Sequence, residues 1–322
     1  MANYIARKTL RLVALLVFVS LVTFTLIELS PIDPINAYLN AADTVSAAQK
    51  AEIAAYFGLD QSPVERYIQW IGNLLQGDLG TSLTYRVPVM EVIASKFANS
   101  LALMLSAFVL SGVMGLGLGI AMGQHKTADK VLRPICLTLS STPTFFIGMI
   151  FLIVFAVKLD WFPIGFSVPM GTLTENVSLG ETVYHLVLPV VALSFASFSH
   201  LALHTREKVV EILDSDYVLL AQTRGFTRSQ ILRRHVLRNV ILPFITLQFA
   251  SLSEIFGGSI LAETVFSYPG LGSVMVDAGL SGDVPLLLGV TLFSCAFVFV
   301  GNFTANILYG LIDPKIRLGA KQ

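Results

Sequence analysis

His200 and His204 stand four residues apart, a spacing that sets both imidazoles on one face of a helix and can hold a metal ion. No carboxylate or cysteine pattern completes a ligand set around them, so no metal is assigned. Glu254 is the other isolated group, a carboxylate inside an apolar run. Cys136 and Cys295 also lie in apolar runs, which argues for packed thiols and against a disulfide framework or a zinc site. The chain lacks G-x-x-x-x-G-K-S/T, H-E-x-x-H and G-x-S-x-G, so phosphate-cradling, zinc-hydrolase and serine-nucleophile chemistry have no motif to rest on. No catalytic residue is assigned, and the chain is not expected to be an enzyme. The densest chemistry is DYVLLAQTRGFTRSQILRRHVLRN, residues 216–239, where Arg224, Arg228, Arg233, Arg234, Arg238 and His235 gather.

That stretch interrupts a greasy chain, 54% hydrophobic and 13% charged, where a soluble domain carries about a quarter charged residues. A net charge of zero offers nucleic acid no overall attraction. Six apolar runs approach the ~20 residues that cross a bilayer: 12–29, 101–122, 135–157, 183–203, 240–262 and 285–308. Arg7, Lys8 and Arg11 precede the first run as they would a secretory signal. No small-x-small cleavage pattern follows, so it reads as a retained span. Of the 21 Lys and Arg, 16 fall in the N-terminus, the loops 123–134 and 204–239, and the C-terminal tail; the exceptions are Lys50, Arg66, Arg86, Lys96 and Lys158. The positive-inside rule then puts both termini in the cytoplasm and turns 30–98, 158–182 and 263–284 outward. The expected division is a tail and first span at 1–30, an external helical segment at 31–98, a five-helix core at 99–310 and a cytoplasmic tail at 311–322.

The outward segment is too long for a bare loop. SAAQ at 46–49 is a capping box that opens a helix to Phe57, with Gly58 as its stop. SPVE at 62–65 is a second box with Pro63 in the first helical position, and Gly77 ends that helix. Its stripe of Tyr67, Ile68, Trp70, Ile71, Leu74 and Leu75 suits the membrane interface, a partner, or the outer ends of the spans. Gly115, Gly119 and Gly123 make a small-residue stripe that lets another helix approach closely. Pro143, Pro189 and Gly257-Gly258 are expected breaks inside the third, fourth and fifth spans. Glu254, costing about 3 kcal/mol at a bilayer centre, must face the bundle interior. It lines a substrate path or hydrogen-bonds two helices together.

Within 216–239 a helix is expected from Asp216, stopped by Gly225 in the left-handed conformation. TRSQ at 227–230 is a capping box that opens a second helix leading to Pro243. The outline matches a DNA-binding helix-turn-helix, but spans flank it on both sides and a duplex could not approach. The arginines alone could be topology signals. Val218, Leu219, Leu220 and Ala221 are more apolar than a solvated inner loop needs, and a short amphipathic helix of this kind fits a groove on a soluble partner.

The pattern Ala-x-x-x-Gly at 221–225, followed by RHVLRNVILP at 234–243, resembles the coupling loop of ABC importer permeases, and more narrowly the dipeptide/oligopeptide/nickel family. GDLGTS at 77–82, TPTFFIGMIFLIVF at 142–155, ETVFSYPGLG at 263–272 and LIDPKIR at 311–317 match that family in the expected order. The general importer loop has Glu-Ala-Ala where Leu219, Leu220 and Ala221 stand, and its proline lies nearer the glycine than Pro243 does. Both departures are usual for the peptide/nickel branch. The resemblance implies an all-α polytopic membrane protein with six spans, the type I ABC importer fold, placed in the plasma (inner) membrane. It implies pairing with a second homologous permease, two cytoplasmic ATPases that bind ATP and Mg, and an external solute-binding protein; the chain itself binds no cofactor. Asp216, Tyr217, Leu220, Ala221, Arg224, Gly225, Phe226 and Thr227 would seat in an ATPase groove. Pro269, Gly270 and Gly272 would shape an irregular turn at the outer mouth, and Tyr268, Pro269 and Gly270 would serve with Glu254 as pathway or outer-gate residues. Peptide uptake is the expected activity. A nickel or other metal chelate is the alternative cargo, and an ion-coupled secondary transporter the alternative of another class.

Overall fold

The computed structural model describes residues 2–32, 35, 46–56, 60–169 and 177–312. The tail residues 313–322 and the expected helix stop at Phe57 and Gly58 lie outside them. Among the described residues every regular element is helical, apart from one isolated bridge between Thr81 and Pro88. The helices are α1 (Ala2–Glu28), α2 (Ala47–Tyr56), α3 (Pro63–Leu75), α4 (Val89–Gln124), α5 (Lys126–Ser140) and α6 (Thr144–Phe151), the last prolonged by the π-helical Leu152–Lys158. There follow α7 (Leu179–Leu213), α8 (Asp216–Thr223), α9 (Arg228–Ile231), a π-helical turn Leu232–Val236, α10 (Leu237–Ala250), α11 (Leu252–Val265), α12 (Leu271–Ser281) and α13 (Val284–Ile312).

Among the described residues four helices are long and apolar enough to cross a membrane: Arg7–Glu28 of α1, α4, α7 and Val284–Ala305 of α13. Two further crossings are bent pairs, Lys126–Ser140 with Thr144–Lys158 at 109° and Arg228–Ala250 with Leu252–Val265 at 45°. Taken as one span each, they complete the expected six. The first bend falls where Pro143 disfavours helix at Thr142 and becomes the extended N-cap of α6. The hydroxyls of Ser140, Ser141 and Thr142 donate to the carbonyls of Leu137, Leu137 and Thr138, satisfying groups the helix end leaves open. The second bend falls at Ser251, whose hydroxyl donates to the Gln248 carbonyl, and not at Gly257-Gly258 as the sequence led us to expect. Gly258 instead serves close packing: a Cβ there would come within 2.8 Å of Leu193 Cδ1. Pro189 is buried within an uninterrupted α7.

The chain forms two compact units, Met1–Ser100 with Pro269–Phe299 and Leu101–Tyr268 with Val300–Gln322. In the first, α3 opens on the Ser62–Glu65 capping box, and Tyr67, Trp70, Ile71 and Leu74 pack with Phe24, Leu288 and Leu292. Tyr67 and Ser20 share a 2.8 Å hydrogen bond, and Arg66 pairs with Glu28. The aromatic stripe thus rests on neighbouring helices of its own unit, while Val64, Ile68 and Leu75 stay exposed. The loop at 77–88 is held by Asp283, which is fully buried and accepts from Ser82 Oγ at 2.6 Å and from the Thr84 and Leu286 backbone N–H groups. In the second unit the glycine stripe meets α7 (Leu179–Leu213). A Cβ on Gly115, Gly119 or Gly123 would lie 2.6, 2.4 and 2.4 Å from Leu201, Thr205 and Val209.

Candidate functional site

The basic stretch folds as expected into helix, glycine turn, helix. Phe226 N–H donates to the Ala221 carbonyl at 3.1 Å and Gly225 N–H to the Gln222 carbonyl at 2.9 Å. This pair of bonds is the Schellman closure of α8. It requires a left-handed residue, and Gly225 supplies it with φ +82°. Thr227 then caps α9: its hydroxyl accepts from Gln230 N–H, and the Gln230 side-chain oxygen accepts from Thr227 N–H at 2.9 Å.

Helical spacing sorts the residues of α8 into two faces. Val218 and Ala221, three apart, are buried against Val209, Ile212, Ile231, Val236 and Val240, with Phe226 packed alongside. Asp216, Tyr217, Leu219, Leu220 and Thr223 point away from that cluster, and Leu219 and Leu220 are 60% and 52% exposed. Of the residues expected to meet a partner, Ala221 thus lies underneath and Phe226 is half-buried, whereas Leu219, marked in the sequence by the apolar run 218–221, is the most exposed apolar side chain of the helix. Alternation around the helix axis was the signal that separates them. The turn is braced by Arg234 over the Phe226 ring at 5.5 Å and by His235, whose ring centre is 5.9 Å from that of Tyr217. Arg224, Gly225 and Thr227 are exposed at the rim. The arrangement offers an apolar ridge edged by fixed cations, with no nucleophile or general base aimed at a common point.

Glu254 lies exposed in the first turn of α11, just past the 45° bend. No hydrogen bond or ion pair to its carboxylate is found among the described residues, so it does not tie two of these helices together. With Ser253, Gly257, Leu261 and Thr264 it forms one open stripe along α11. Tyr268 is 1% exposed, so its ring belongs to the packed interior. Burial, with the nearby Glu263 carboxylate, pushes its phenol up to about 12. Pro269 is half-buried and accepts from Asn99 Nδ2 at 2.9 Å, and Gly270 is the buried N-cap of α12. His200 and His204 face each other with Nε2 atoms 3.2 Å apart, and no group of three or more metal-ligating side chains exists among the described residues.

Comparison with known proteins places this geometry. Residues 113–318 match the model of the binding-protein-dependent transport system inner membrane component family, and residues 1–104 match its N-terminal membrane component. The chain is 32% identical over 321 residues to the oligopeptide transport system permease protein AppB of Bacillus subtilis, covering 98% of this chain and 100% of that one. It is 32% identical to the di/tripeptide transport system permease protein DppB of Pseudomonas aeruginosa, covering 98% and 99%. To the glutathione transport system permease protein GsiC of Salmonella choleraesuis it is 33% identical, again over 98% and 99%. Among solved structures, an inward-facing MetNI methionine ABC transporter shares the fold, with a TM-score of 0.56, 15% identity, and 70% and 97% of the two chains covered. The chain is therefore a member of the binding-protein-dependent transport system inner membrane component family: a multi-pass inner-membrane permease subunit of an ABC importer, which works with ATPase and binding-protein partners.

Proposed function

We propose that this permease imports short peptides, pairing with a second homologous permease to form the path. Two cytoplasmic ATPases bind ATP and Mg and seat the ridge at 216–227 in their grooves; the chain binds no cofactor itself. An external binding protein delivers the cargo, and both termini lie in the cytoplasm. The observation that carries the reading is α8: Val218 and Ala221 cement the helix to the bundle while Tyr217, Leu219 and Leu220 stand exposed beside it. A helix fixed on one face and apolar on the other transmits force from whatever grips it. The three relatives described above are named for oligopeptide, di/tripeptide and glutathione transport, which supports peptides as cargo over a nickel or other metal chelate. Glu254, open on α11, faces the path, and Pro269 and Gly270 shape the outer mouth.

Reconstituting the chain with its co-purifying subunits tests this reading. Peptide uptake should require ATP and be lost on Leu219→Asp together with Leu220→Asp, which should also strip the ATPases from the purified complex. Uptake driven by an ion gradient without any ATPase would replace the reading by a secondary transporter.

A further inference from the structure

Two arginines tie the coupling surface to helices that lie far from it in the chain. Arg228, first residue of α9, donates through its guanidinium to the carbonyl of Gln124, the last residue of α4. Helix C-termini leave such carbonyls without intrahelical partners and carry a partial negative charge, so a guanidinium is the matched donor. Arg206 on α7 grips Asp129 on α5 with two parallel bonds, Nε to Oδ1 at 2.8 Å and Nη2 to Oδ2 at 2.6 Å. Such a bidentate fork fixes orientation as well as distance. Beside it, Thr205 and Val209 of α7 press on Gly119 and Gly123 of α4. Leu116 and Ile120 of α4 also join the cluster beneath α8.

We propose that Arg228 and Arg206 are positioning residues for energy coupling. Building on the function proposed above, they lock α8, α9 and the facing ends of α4, α5 and α7 into one body. A displacement of α8 then carries α4 and α5 with it, as well as the α10 that follows in sequence. The need for such a lock lies in the π-helical turn Leu232–Val236, which separates α9 from α10. Interruptions of this kind are seldom tolerated without a functional use, and a turn lacking regular i to i+4 bonds is the natural place for a push to be absorbed. Without the arginines, movement of α8 spends itself at that turn.

The test uses the whole transporter with its ATPases in lipid vesicles. Spin labels go on Lys130 of α5 and Ser229 of α9, both exposed and outside the ridge at 216–227. Their separation is measured by double electron–electron resonance without nucleotide and with ATP plus vanadate. The parent chain should hold one distance in both states. Arg228→Ala and Asp129→Ala should each shift or broaden that distance with ATP plus vanadate, while ATP hydrolysis measured without vanadate persists, and the exchange Asp129→Arg with Arg206→Asp should keep the parent distance. An unchanged, narrow distance in the alanine variants overturns the lock, and failure of the exchange to keep the parent distance overturns the role of the Arg206 pair. Failure of the parent chain to retain any ATPase is a separate result, which removes the proposed function and this inference with it.

Discussion

Gly225 is the residue on which the coupling turn closes, because both closing bonds need a left-handed backbone between them. Gly225→Pro would fix φ near −65° and remove the N–H that reaches Gln222. Uptake should disappear while the amount of protein in the membrane stays at the parent level, read by transport assay and immunoblot together. Gly225→Ala keeps that N–H and pays about 1–2 kcal/mol for the same φ, so it should retain reduced uptake. Tyr268 makes a different prediction. Its folded-state phenol is held near 12, above the ordinary value of about 10. Its contribution to stability is therefore complete below about pH 10 and is lost as pH rises through about 12. The phenolate absorbance of the purified chain should contain one step near pH 12 that Tyr268→Phe removes. Both residues stood out in the sequence, but for unequal reasons. The glycine followed from turn chemistry, whereas the burial of Tyr268 depends on packing that no local pattern reveals.

At the level of helices, the glycine stripe on α4 sets the sharpest contrast. Gly119→Leu would drive side-chain atoms into Thr205 and into the Ala202 carbonyl, which lies 2.8 Å from the Cβ position, so overpacking should cost about 1–3 kcal/mol. Gly117 has nothing within 4 Å of a Cβ, and Gly117→Ala should be neutral. Thermal unfolding of both variants in detergent checks the pair. This stripe, and the capping boxes at Ser46, Ser62 and Thr227, were readable in the sequence because each is a local spacing rule. The bends were harder. Pro143 marked the place of the first, but residues 135–157 have the hydropathy of a straight span, and nothing local sets the size of the 109° turn. The fifth-span glycines looked like the break, yet a serine hydroxyl competing for its own backbone accompanies it. The helix α12, after the Pro269-Gly270 turn, also went unread, since its 11 residues sit in a segment expected to be an irregular turn. Clamps such as Ser82 to Asp283 join residues 201 positions apart and leave no trace in any window.

For the whole molecule, the uneven spread of Lys and Arg is the basis for orientation. Single cysteines introduced at Asp60 and at Lys130, both exposed, should label from opposite sides of the membrane, Asp60 in intact cells and Lys130 only after permeabilisation. Labelling of both from one side would overturn the assigned threading. The first unit also sets an order on biogenesis. It draws on residues 1–100 and 269–299, so the first third of the chain has left the ribosome long before its partners exist. Until Asp283 emerges, the Ser82 hydroxyl and the Thr84 amide have no carboxylate to meet, and Val89 and Ile93 have no Leu286 or Val290 to bury them. Such long-range closure is slow and exposes sticky surface while it waits. The nascent permease must idle half-assembled through most of its translation, and a chain released before residue 283 should be a substrate for quality-control proteases.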